Sequence, residues 1–423
     1  MTTSPPGGPP STDGRLRSAV PTVAAAAPSV PLATNGRCLV GVGVAPRHVG
    51  EQPRRLSDPD LIDHPLATGR YQSPLRYPGA KSALAPTISR LVESAKTSTA
   101  VGQVNLFVEP FAGGASVSLR LVGAGVVDQV LLADADPLVA AFWQVAAEDT
   151  SWLKGRARDE WDRFVSKGGA TAVDRWDHWR LWTPPPGATP QTSRREAAVK
   201  ALFLNRTTFS GILHGRAGPI GGRGQTSTNG IGCRWNPDSL EERLAFIGHL
   251  YSTNRLLDVW CMDWSATLDS VASAYKQLLP SRVVAYLDPP YVEKSAKLYQ
   301  RSFDPHGGYA AAPVEDLHWG GRLMHERLAE YLRTKAQFRW VLSYDAHDAL
   351  TTEPCMYAHD RMTPSDEDRA VLGVRRWRIS KRLVSTRYSA STHNGRGVAD
   401  ELLLTTLPPS TVPVDADLRM LPC

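Results

Sequence analysis

The stretch VNLFVEPFAGGASVSLRLVGAGVVDQVLLADAD, residues 104–136, decides the fold class. It opens with an apolar strand over residues 104–109, which a loop of small residues at 110–115 interrupts. The segment 116–125 then predicts a helix that ends at glycine, and 127–134 predicts a second strand closed by an acid. A strand, a glycine loop, a helix, a strand and an acid form the first half of a doubly wound α/β sheet.

The flanking sequence extends this pattern in both directions. A helix is predicted over 85–95, and another over 137–148 that opens at Pro137. Strand patterning resumes at 256–263 and 283–287, followed by a helix at 318–335 and a strand at 338–345. The last alternating segments are 375–384 and 401–407.

Composition divides the chain into five parts. Residues 1–70 are rich in Pro, Ala, Ser, Gly and Thr and contain no Phe, Tyr or Trp, which predicts a mostly disordered arm. Residues 71–150 and 256–410 read as the two parts of the α/β domain, and 411–423 as a tail. The intervening 151–255 carries five clustered tryptophans and the glycine-rich loop 215–232. It predicts an inserted helical subdomain with a mobile loop, in which the tryptophans pack into the core.

The bulk numbers are those of a soluble globular protein: 423 residues, 42% apolar and 21% charged. No apolar run approaches the ~20 residues of a membrane span, and the leading MTTSPPGGPP lacks a signal-peptide pattern. The five cysteines are scattered without metal-ligand spacing, which predicts free thiols and no zinc site. A net charge of +6 permits a polyanionic partner.

Two motifs point to a ligand at the ends of the first strands. The small residues of FVEPFAGGAS, 107–116, let a ligand approach backbone N–H groups and a helix start. Their spacing is neither that of the dinucleotide fingerprint nor that of a P-loop, which argues against NAD and ATP. Asp134 is placed to accept hydrogen bonds from ribose hydroxyls. An ordinary α/β turn and an ordinary strand-ending acid are the alternatives.

The stretch LDPPY, 287–291, ends a buried strand with an acid, two prolines and an aromatic ring. Proline removes a backbone donor and fixes φ, so the pair stops the strand abruptly. A carboxylate at the carboxyl end of such a strand lies where open α/β sheets bind ligands. The alternative is an Asx turn.

Together these motifs resemble the Dam-like, D12 class of DNA adenine-N6 methyltransferases, which use S-adenosylmethionine. LRYPGAK, 75–81, resembles the family's opening motif, with Ala80 in place of its second glycine. FVEPFAGGAS resembles the cofactor loop, LLADAD the ribose-binding acid, and FLNRTTFSG, 203–211, the asparagine-arginine segment. LDPPY resembles the catalytic motif and LSYD, 342–345, a later strand motif, in the family's order. The resemblance implies a Rossmann-like methyltransferase sheet with an inserted, mainly helical target-recognition subdomain.

The resemblance also implies the site residues. The residues implied to hold S-adenosylmethionine are Tyr77, Lys81, Glu109, Pro110, Phe111, Ala112, Gly113, Gly114, Asp134 and Asp263. The implied catalytic residues are Asp288, Pro289, Pro290 and Tyr291. Asp288 and the Pro289 carbonyl would accept from the amino group of a flipped base, on which Tyr291 would stack. This chemistry requires no metal.

Double-stranded DNA is the implied partner. The residues expected to contact it are Asn205, Arg206, Arg216, Arg223 and Arg234. For Arg206 a role as a buttress of the active site is equally open, and the loop arginines could lie on a plain surface loop. A basic run in the last segments binds phosphate or forms a solvated face: Arg375, Arg376, Arg378, Lys381, Arg382 and Arg387.

The leading hypothesis is therefore a site-specific DNA adenine-N6 methyltransferase in a prokaryotic cytoplasm, associated with the nucleoid. A setting in restriction-modification or phage defence would involve a partner protein that the sequence does not identify. The rival enzymes methylate cytosine N4, RNA adenine or a protein amide, since related proline-containing motifs serve those nitrogens. A rival of another class is a catalytically silent DNA-binding component of a defence system.

Overall fold

The structure is a computed structural model that describes residues 73–76, 81, 83–98, 101–214, 217–290, 317–347, 350, 356–357, 379–387, 398–408 and 418–420. Side chains are not described at 317–323, 386–387, 398–399 and 418–420. The predicted arm over residues 1–70 lies outside the described residues, as do Tyr77, Arg216 and Tyr291.

Eight strands in the described part of the chain form one sheet, in the order β3-β2-β1-β4-β5-β7-β6-β8. Their bounds are β1 Leu106–Glu109, β2 Gln129–Asp134, β3 Leu256–Cys261, β4 Val283–Leu287, β5 Arg339–Asp345, β6 Ser380–Arg387, β7 Val398–Thr405 and β8 Leu418–Met420. The first five pair in parallel, and β7, β6 and β8 extend the sheet in antiparallel fashion. The chain runs outward from β1 to β3 and returns at β4, which creates a topological switch point between β1 and β4.

Nine α-helices in the described residues accompany the sheet. They are α1 Ala85–Ala95, α2 Ser116–Gly123, α3 Pro137–Glu148, α4 Thr150–Arg163, α5 Gly169–Leu181, α6 Pro190–Thr207, α7 Pro237–Ser252, α8 Trp264–Ala274 and α9 Leu317–Thr334. Several starts follow from local sequence. In α3 a proline occupies the first turn and the Asp136 carboxylate caps the Leu138 N–H at 2.9 Å.

Both faces of the sheet are covered by apolar side chains, which explains why the central strands are apolar along their whole length. In β4, Val284 and Tyr286 pack with Phe107 in the core of one face. The alternate residues of β4 pack on the other face with Trp264 of α8 and Leu328 of α9. This arrangement fits the predicted Rossmann-like, doubly wound α/β sheet.

The four helices α4–α7 lie in the chain between α3 and β3, within the segment expected to form a helical insertion. Trp176 and Trp179 are buried there, as predicted. The glycine-rich loop is internally hydrogen-bonded. The Gln225 side chain donates to the Ile220 carbonyl at 2.7 Å and accepts from the Ile231 N–H at 2.8 Å. Residues 220–231 of the loop are therefore organised around Gln225, and the predicted mobility of the loop stays a prediction.

The basic run of the last segments takes neither of its two predicted forms at the positions that can be described. Lys381 and Arg382 lie on β6 and are 2% and 6% exposed, so they form neither a solvated face nor an open phosphate site. Arg375, Arg376 and Arg378 lie outside the described residues, as does the side chain of Arg387.

Residues 418–420 of the predicted tail form β8, which pairs with β6. None of the described helices has the length and apolar character to cross a membrane.

Candidate active site

Acidic residues from three neighbouring strands meet at the carboxyl edge of the parallel sheet. Glu109 ends β1, Asp134 ends β2 and Asp288 directly follows β4. Strand β1 pairs in parallel with both β2 and β4, so these three side chains lie around the switch point. The structure thus brings together acids that are far apart in the sequence.

The small-residue loop between β1 and α2 is tied to the end of β2. The Ala112 N–H donates to the Ala133 carbonyl at 2.9 Å, and the Gly113 N–H donates to Oδ2 of Asp134 at 2.8 Å. Gly113 and Ala115 have φ of +44° and +47°, in the left-handed region that non-glycine residues such as alanine rarely adopt. Trp143 of α3 fixes the loop from behind by donating from Nε1 to the Gly113 carbonyl at 2.9 Å.

Burial raises the pKa values of the two acids that flank this loop, Glu109 and Asp134. Desolvation raises the pKa of Glu109 to about 8, although the Ser118 hydroxyl and N–H both donate to its Oε2. Desolvation and the neighbouring Asp136 carboxylate raise the pKa of Asp134 to about 7. Two carboxyl groups are therefore held in a place that disfavours their ionised forms, as ligand sites often do.

A histidine from the segment after α6 contacts the acids beside the small-residue loop. Nε2 of His214 lies 2.6 Å from Oδ2 of Asp136. Asp136 in turn donates its backbone N–H to Oδ1 of Asp134 at 2.8 Å. A continuous chain of hydrogen bonds thus runs from His214 through the two aspartates to Gly113.

The carboxylate of Asp288 is oriented through one of its two oxygens. Lys81 Nζ lies 3.1 Å from Oδ1, and the Ser343 hydroxyl donates to the same oxygen at 3.0 Å. The hydroxyl of Tyr286 lies 2.8 Å from that of Ser343 and, because its pKa is raised well above its usual value by burial, remains a donor. No hydrogen bond to Oδ2 of Asp288 is formed by the residues that the structure describes. Burial also raises the pKa of Asp288, against the opposing effect of Lys81.

Lys81 lies between two acids. Its side chain is 4% exposed, and its Nζ is 3.1 Å from Asp288 and 3.7 Å from Oε2 of Glu401 on β7. The sequence placed Lys81 near the cofactor, and the structure places it against the Asp288 carboxylate. Glu401 was not anticipated; its signal was an acid at the start of the apolar run 402–404.

The asparagine-arginine segment supports the chain just ahead of Lys81. The Asn205 amide is fully buried, accepts from the Arg76 N–H at 2.6 Å and donates to the Arg76 carbonyl at 3.1 Å. Arg206 is 5% exposed and donates from Nε to the Pro74 carbonyl at 2.8 Å. Burial lowers the pKa of Arg206 to about 9, so the guanidinium stays charged at neutral pH. The Asn205 side chain is enclosed, and the contact of Arg206 with the Pro74 carbonyl fits its alternative role as a buttress. A contact of either residue with DNA stays a prediction.

The other expected DNA contacts differ in exposure. Arg223 is exposed but forms two hydrogen bonds to Asp177 of α5, at 3.0 and 2.5 Å. Arg234 is half-buried, and its carbonyl accepts from Arg206 at 3.2 Å. Phe209 lies between α6 and this loop with its ring 63% exposed. It was not singled out in the sequence, although large apolar side chains are seldom so open without a partner.

Two further expectations concern Asp263 and metals. Oδ1 of Asp263 caps α8 by accepting from the N–H groups of Ser265 and Ala266 at 2.9 and 3.2 Å. One carboxylate oxygen is therefore already engaged, and a contact to a cofactor stays a prediction. Within the described residues no group of three or more His, Cys, Asp or Glu side chains is placed to hold a metal ion.

The comparison with known proteins agrees with this geometry. Residues 77–216 match the model of the D12 class N6 adenine-specific DNA methyltransferases. The matched range contains Lys81, the cofactor loop and Asp134, and it ends before Asp288, which the parallel pairing of β1 with β4 joins to them. A search of curated proteins gave no match. Over residues 77–216 the chain therefore carries the domain of the D12 class N6 adenine-specific DNA methyltransferases, enzymes that methylate the N6 of adenine in DNA.

Proposed function

We propose that this protein transfers a methyl group from S-adenosylmethionine to the exocyclic N6 of a flipped adenine in double-stranded DNA. The proposal is carried by the two carboxylate oxygens of Asp288: Lys81 and Ser343 engage Oδ1, while Oδ2 accepts no hydrogen bond from the described residues. This leaves a fixed acceptor at the switch-point edge, next to the acids of the first two strands. An amino group is the complementary donor.

The residues around the glycine loop fit S-adenosylmethionine by the chemistry of their donors and acceptors. Asp134 offers a carboxylate to ribose hydroxyls, and Glu109 offers a carboxyl to the charged methionine end. Burial raises the pKa of both groups. Hydrogen-bond donors or a cation from a bound ligand would replace the lost water and lower these pKa values again. When bound, this cofactor supplies an electrophilic methyl group. Pro110, Phe111, Ala112 and Gly114 are proposed to line the same loop, and Tyr77 to close over it.

At the target, Asp288 is proposed to act directly on the amino group. The adenine amino nitrogen is a poor nucleophile because its lone pair is delocalised into the ring. A hydrogen bond to Oδ2 localises that pair and stabilises the positive charge that develops on the nitrogen. The Pro289 carbonyl supplies a second acceptor, and Pro290 and Tyr291 complete the pocket. Because burial raises the pKa of Asp288, its anion is also a better acceptor for the proton that the nitrogen then loses.

DNA is proposed to lie over the side of the domain that carries Phe209 and the glycine-rich loop 215–232. A base must leave the duplex to reach Asp288, at a cost of a few kcal/mol that stacking on an aromatic side chain offsets by about 1–3 kcal/mol. The exposed Phe209 side chain is available for contact with bases. Arg234 and, by the resemblance alone, Arg216 are proposed to contact phosphates or base edges. Arg223 would have to leave Asp177 to join them. A role in restriction-modification or phage defence stays a prediction from the resemblance.

The experiment is a product analysis with purified full-length protein, S-adenosylmethionine and four substrates of matched sequence: duplex DNA, single-stranded DNA, RNA and a DNA duplex without adenine. We expect N6-methyladenine from duplex DNA when the nucleosides are separated by mass spectrometry. N4-methylcytosine from the adenine-free duplex, or product from RNA alone, would identify one of the rival enzymes. Cofactor binding without product on a pool of random duplexes would support the silent DNA-binding alternative.

A further inference from the structure

Glu401 is a buried acid in the antiparallel part of the sheet, outside the range that matches the family model. It lies on β7, opposite Asp345 of β5 and Val384 of β6, and is 2% exposed. The residues that follow it, Leu402, Leu403 and Leu404, are fully buried. A carboxylate in such a place is costly unless a cation or donors compensate it.

One of the contacts of Glu401 leads to the active site. Its Oε2 lies 3.7 Å from Nζ of Lys81, whose Nζ also lies 3.1 Å from Oδ1 of Asp288. The backbone of Lys81 is fixed as well, because its carbonyl accepts from the N–H groups of Leu84 and Ala85 at 3.0 and 2.7 Å. Lysine carries a point charge on a flexible four-carbon stem, so a second anion restricts the position of Nζ.

We propose that Glu401 is a positioning residue for methyl transfer, which holds Lys81 against Oδ1 of Asp288 and so keeps Oδ2 turned toward the target amino group. This inference rests on the function proposed above. It assigns to the antiparallel extension of the sheet a part in the active site, because β7 carries the second acid that contacts Lys81.

A purely structural ion pair makes a different prediction. Removal of one partner of a buried ion pair destabilises a protein because it leaves an uncompensated buried charge. A purely structural role of Glu401 would therefore appear in stability and not in the chemical step. A positioning role lowers kcat while the Michaelis constants for cofactor and DNA stay near their wild-type values, since Glu401 touches neither ligand in the proposal.

The dependence of kcat on pH separates the two roles further. Its acidic limb is the pH range in which kcat falls because Asp288 becomes protonated. The groups that face Asp288 from the surrounding elements are Lys81 ahead of α1, Glu109 on β1, Tyr286 on β4, Ser343 and Tyr344 on β5, and Glu401 on β7 through Lys81. If Glu401→Gln only removes a negative charge, the pKa of Asp288 falls. If it releases Lys81 from Asp288, the pKa of Asp288 rises, and the acidic limb moves to higher pH.

The experiment compares full-length wild type with Glu401→Gln, Glu401→Asp and a matched control, Asp400→Asn. Asp400 is the neighbouring acid on the same strand and accepts from Ser385 at 2.7 Å, away from Lys81. We expect Glu401→Gln to lower kcat roughly tenfold or more, to move the acidic limb upward, and to be partly rescued by Glu401→Asp. Asp400→Asn should match the wild type.

An unchanged kcat in Glu401→Gln, or an acidic limb that moves downward, would overturn the inference. If Glu401→Gln does not fold by circular dichroism, the same comparison is made with Glu401→Asp, which keeps the charge but is one methylene shorter. A lowered kcat and an upward limb then support the inference, and wild-type values overturn it. A wild type that methylates no DNA would instead contradict the proposed function.

Discussion

The hydroxyl of Ser343 on β5 donates to Oδ1 of Asp288 at the end of β4, across 3.0 Å and 55 positions of sequence. Tyr286 holds the same hydroxyl from the core side, at 2.8 Å. The acceptor proposed to act on the target base is thus oriented by a hydrogen-bonded pair of neighbouring strands.

Ser343→Ala should therefore lower kcat while the protein remains folded. A hydrogen bond to a charged group contributes about 1.5–3 kcal/mol, which corresponds to a loss of roughly tenfold to a hundredfold. The control is Ser385→Ala, which removes an exposed serine–aspartate hydrogen bond of 2.7 Å between β6 and Asp400 of β7, in which Asp288 takes no part. Steady-state methylation kinetics of the two variants provide the measurement. Equal rates would show that Ser343 does not orient Asp288.

Gly211 is required by a close approach of backbone to backbone. It has φ of +76°, and a Cβ there would lie 2.1 Å from the Arg76 carbonyl oxygen. Gly187 has a similar φ of +79° but open space around it, so Gly187→Ala isolates the cost of the backbone conformation. We expect Gly187→Ala to cost about 1 kcal/mol in unfolding free energy and Gly211→Ala clearly more. Chemical denaturation of both variants tests this, and equal losses would contradict it.

The two acids beside the glycine loop should make the cofactor-free protein less stable as pH rises. Burial raises the pKa of Glu109 from 4.5 to about 8 and that of Asp134 from 3.8 to about 7. A carboxyl group whose pKa is higher in the folded than in the unfolded state stabilises the fold most below its unfolded pKa. This stabilisation is lost as pH rises through the folded pKa, because the folded protein must then hold a buried charge. The melting temperature should thus fall as pH rises from the unfolded pKa values of 3.8 and 4.5 to the folded values of about 7 and about 8.

Glu109→Gln and Asp134→Asn each replace an ionisable carboxyl group by a neutral amide. The melting temperature of each variant should therefore fall less over that pH range than the melting temperature of the wild type. Thermal unfolding without ligand, followed by circular dichroism at several pH values, provides the measurement. Saturating S-adenosylmethionine should flatten the wild-type curve as well. A wild-type curve as flat as those of the variants would count against the raised pKa values.

His214 should affect cofactor affinity although it lies after α6, outside the cofactor loop. It bonds to Asp136, which orders Asp134 and through it Gly113. We expect His214→Ala to weaken S-adenosylmethionine binding several-fold, about the loss of one hydrogen bond of ~1 kcal/mol. Arg223→Ala, on the surface of the same inserted segment, is the control. Isothermal titration calorimetry without DNA measures both, and equal affinities would exclude the connection.

The sheet and its ligand edge follow from local patterns in the sequence, because apolar strands, small-residue loops and strand-ending acids are each contiguous. Ser343 lies in the recognised motif LSYD, but its bond to Asp288 and the places of Glu401 and His214 could not be found that way. His214 meets Asp136 across 78 positions, and β7 reaches Lys81 only because the chain returns in antiparallel strands. No short pattern records such pairings.

Asn205 and Arg206 show the converse limit. Their residue types suit DNA contact, and resemblance placed them there. Packing against the segment 73–76, 129 positions away for Asn205 and Arg76, buries them instead. Burial of a polar side chain depends on which remote backbone it can satisfy, and the local sequence does not state it.

The proposed methyl transfer depends most on Asp288, as the acceptor for the adenine amino group. The decisive measurement is a genome-wide map of modified bases in cells that express either the wild type or Asp288→Ala, with cofactor binding and folding of the purified variant checked in parallel. We predict N6-methyladenine at defined sequences with the wild type and none above background with the variant, which still folds and binds S-adenosylmethionine. Undiminished N6-methyladenine with Asp288→Ala would contradict the account.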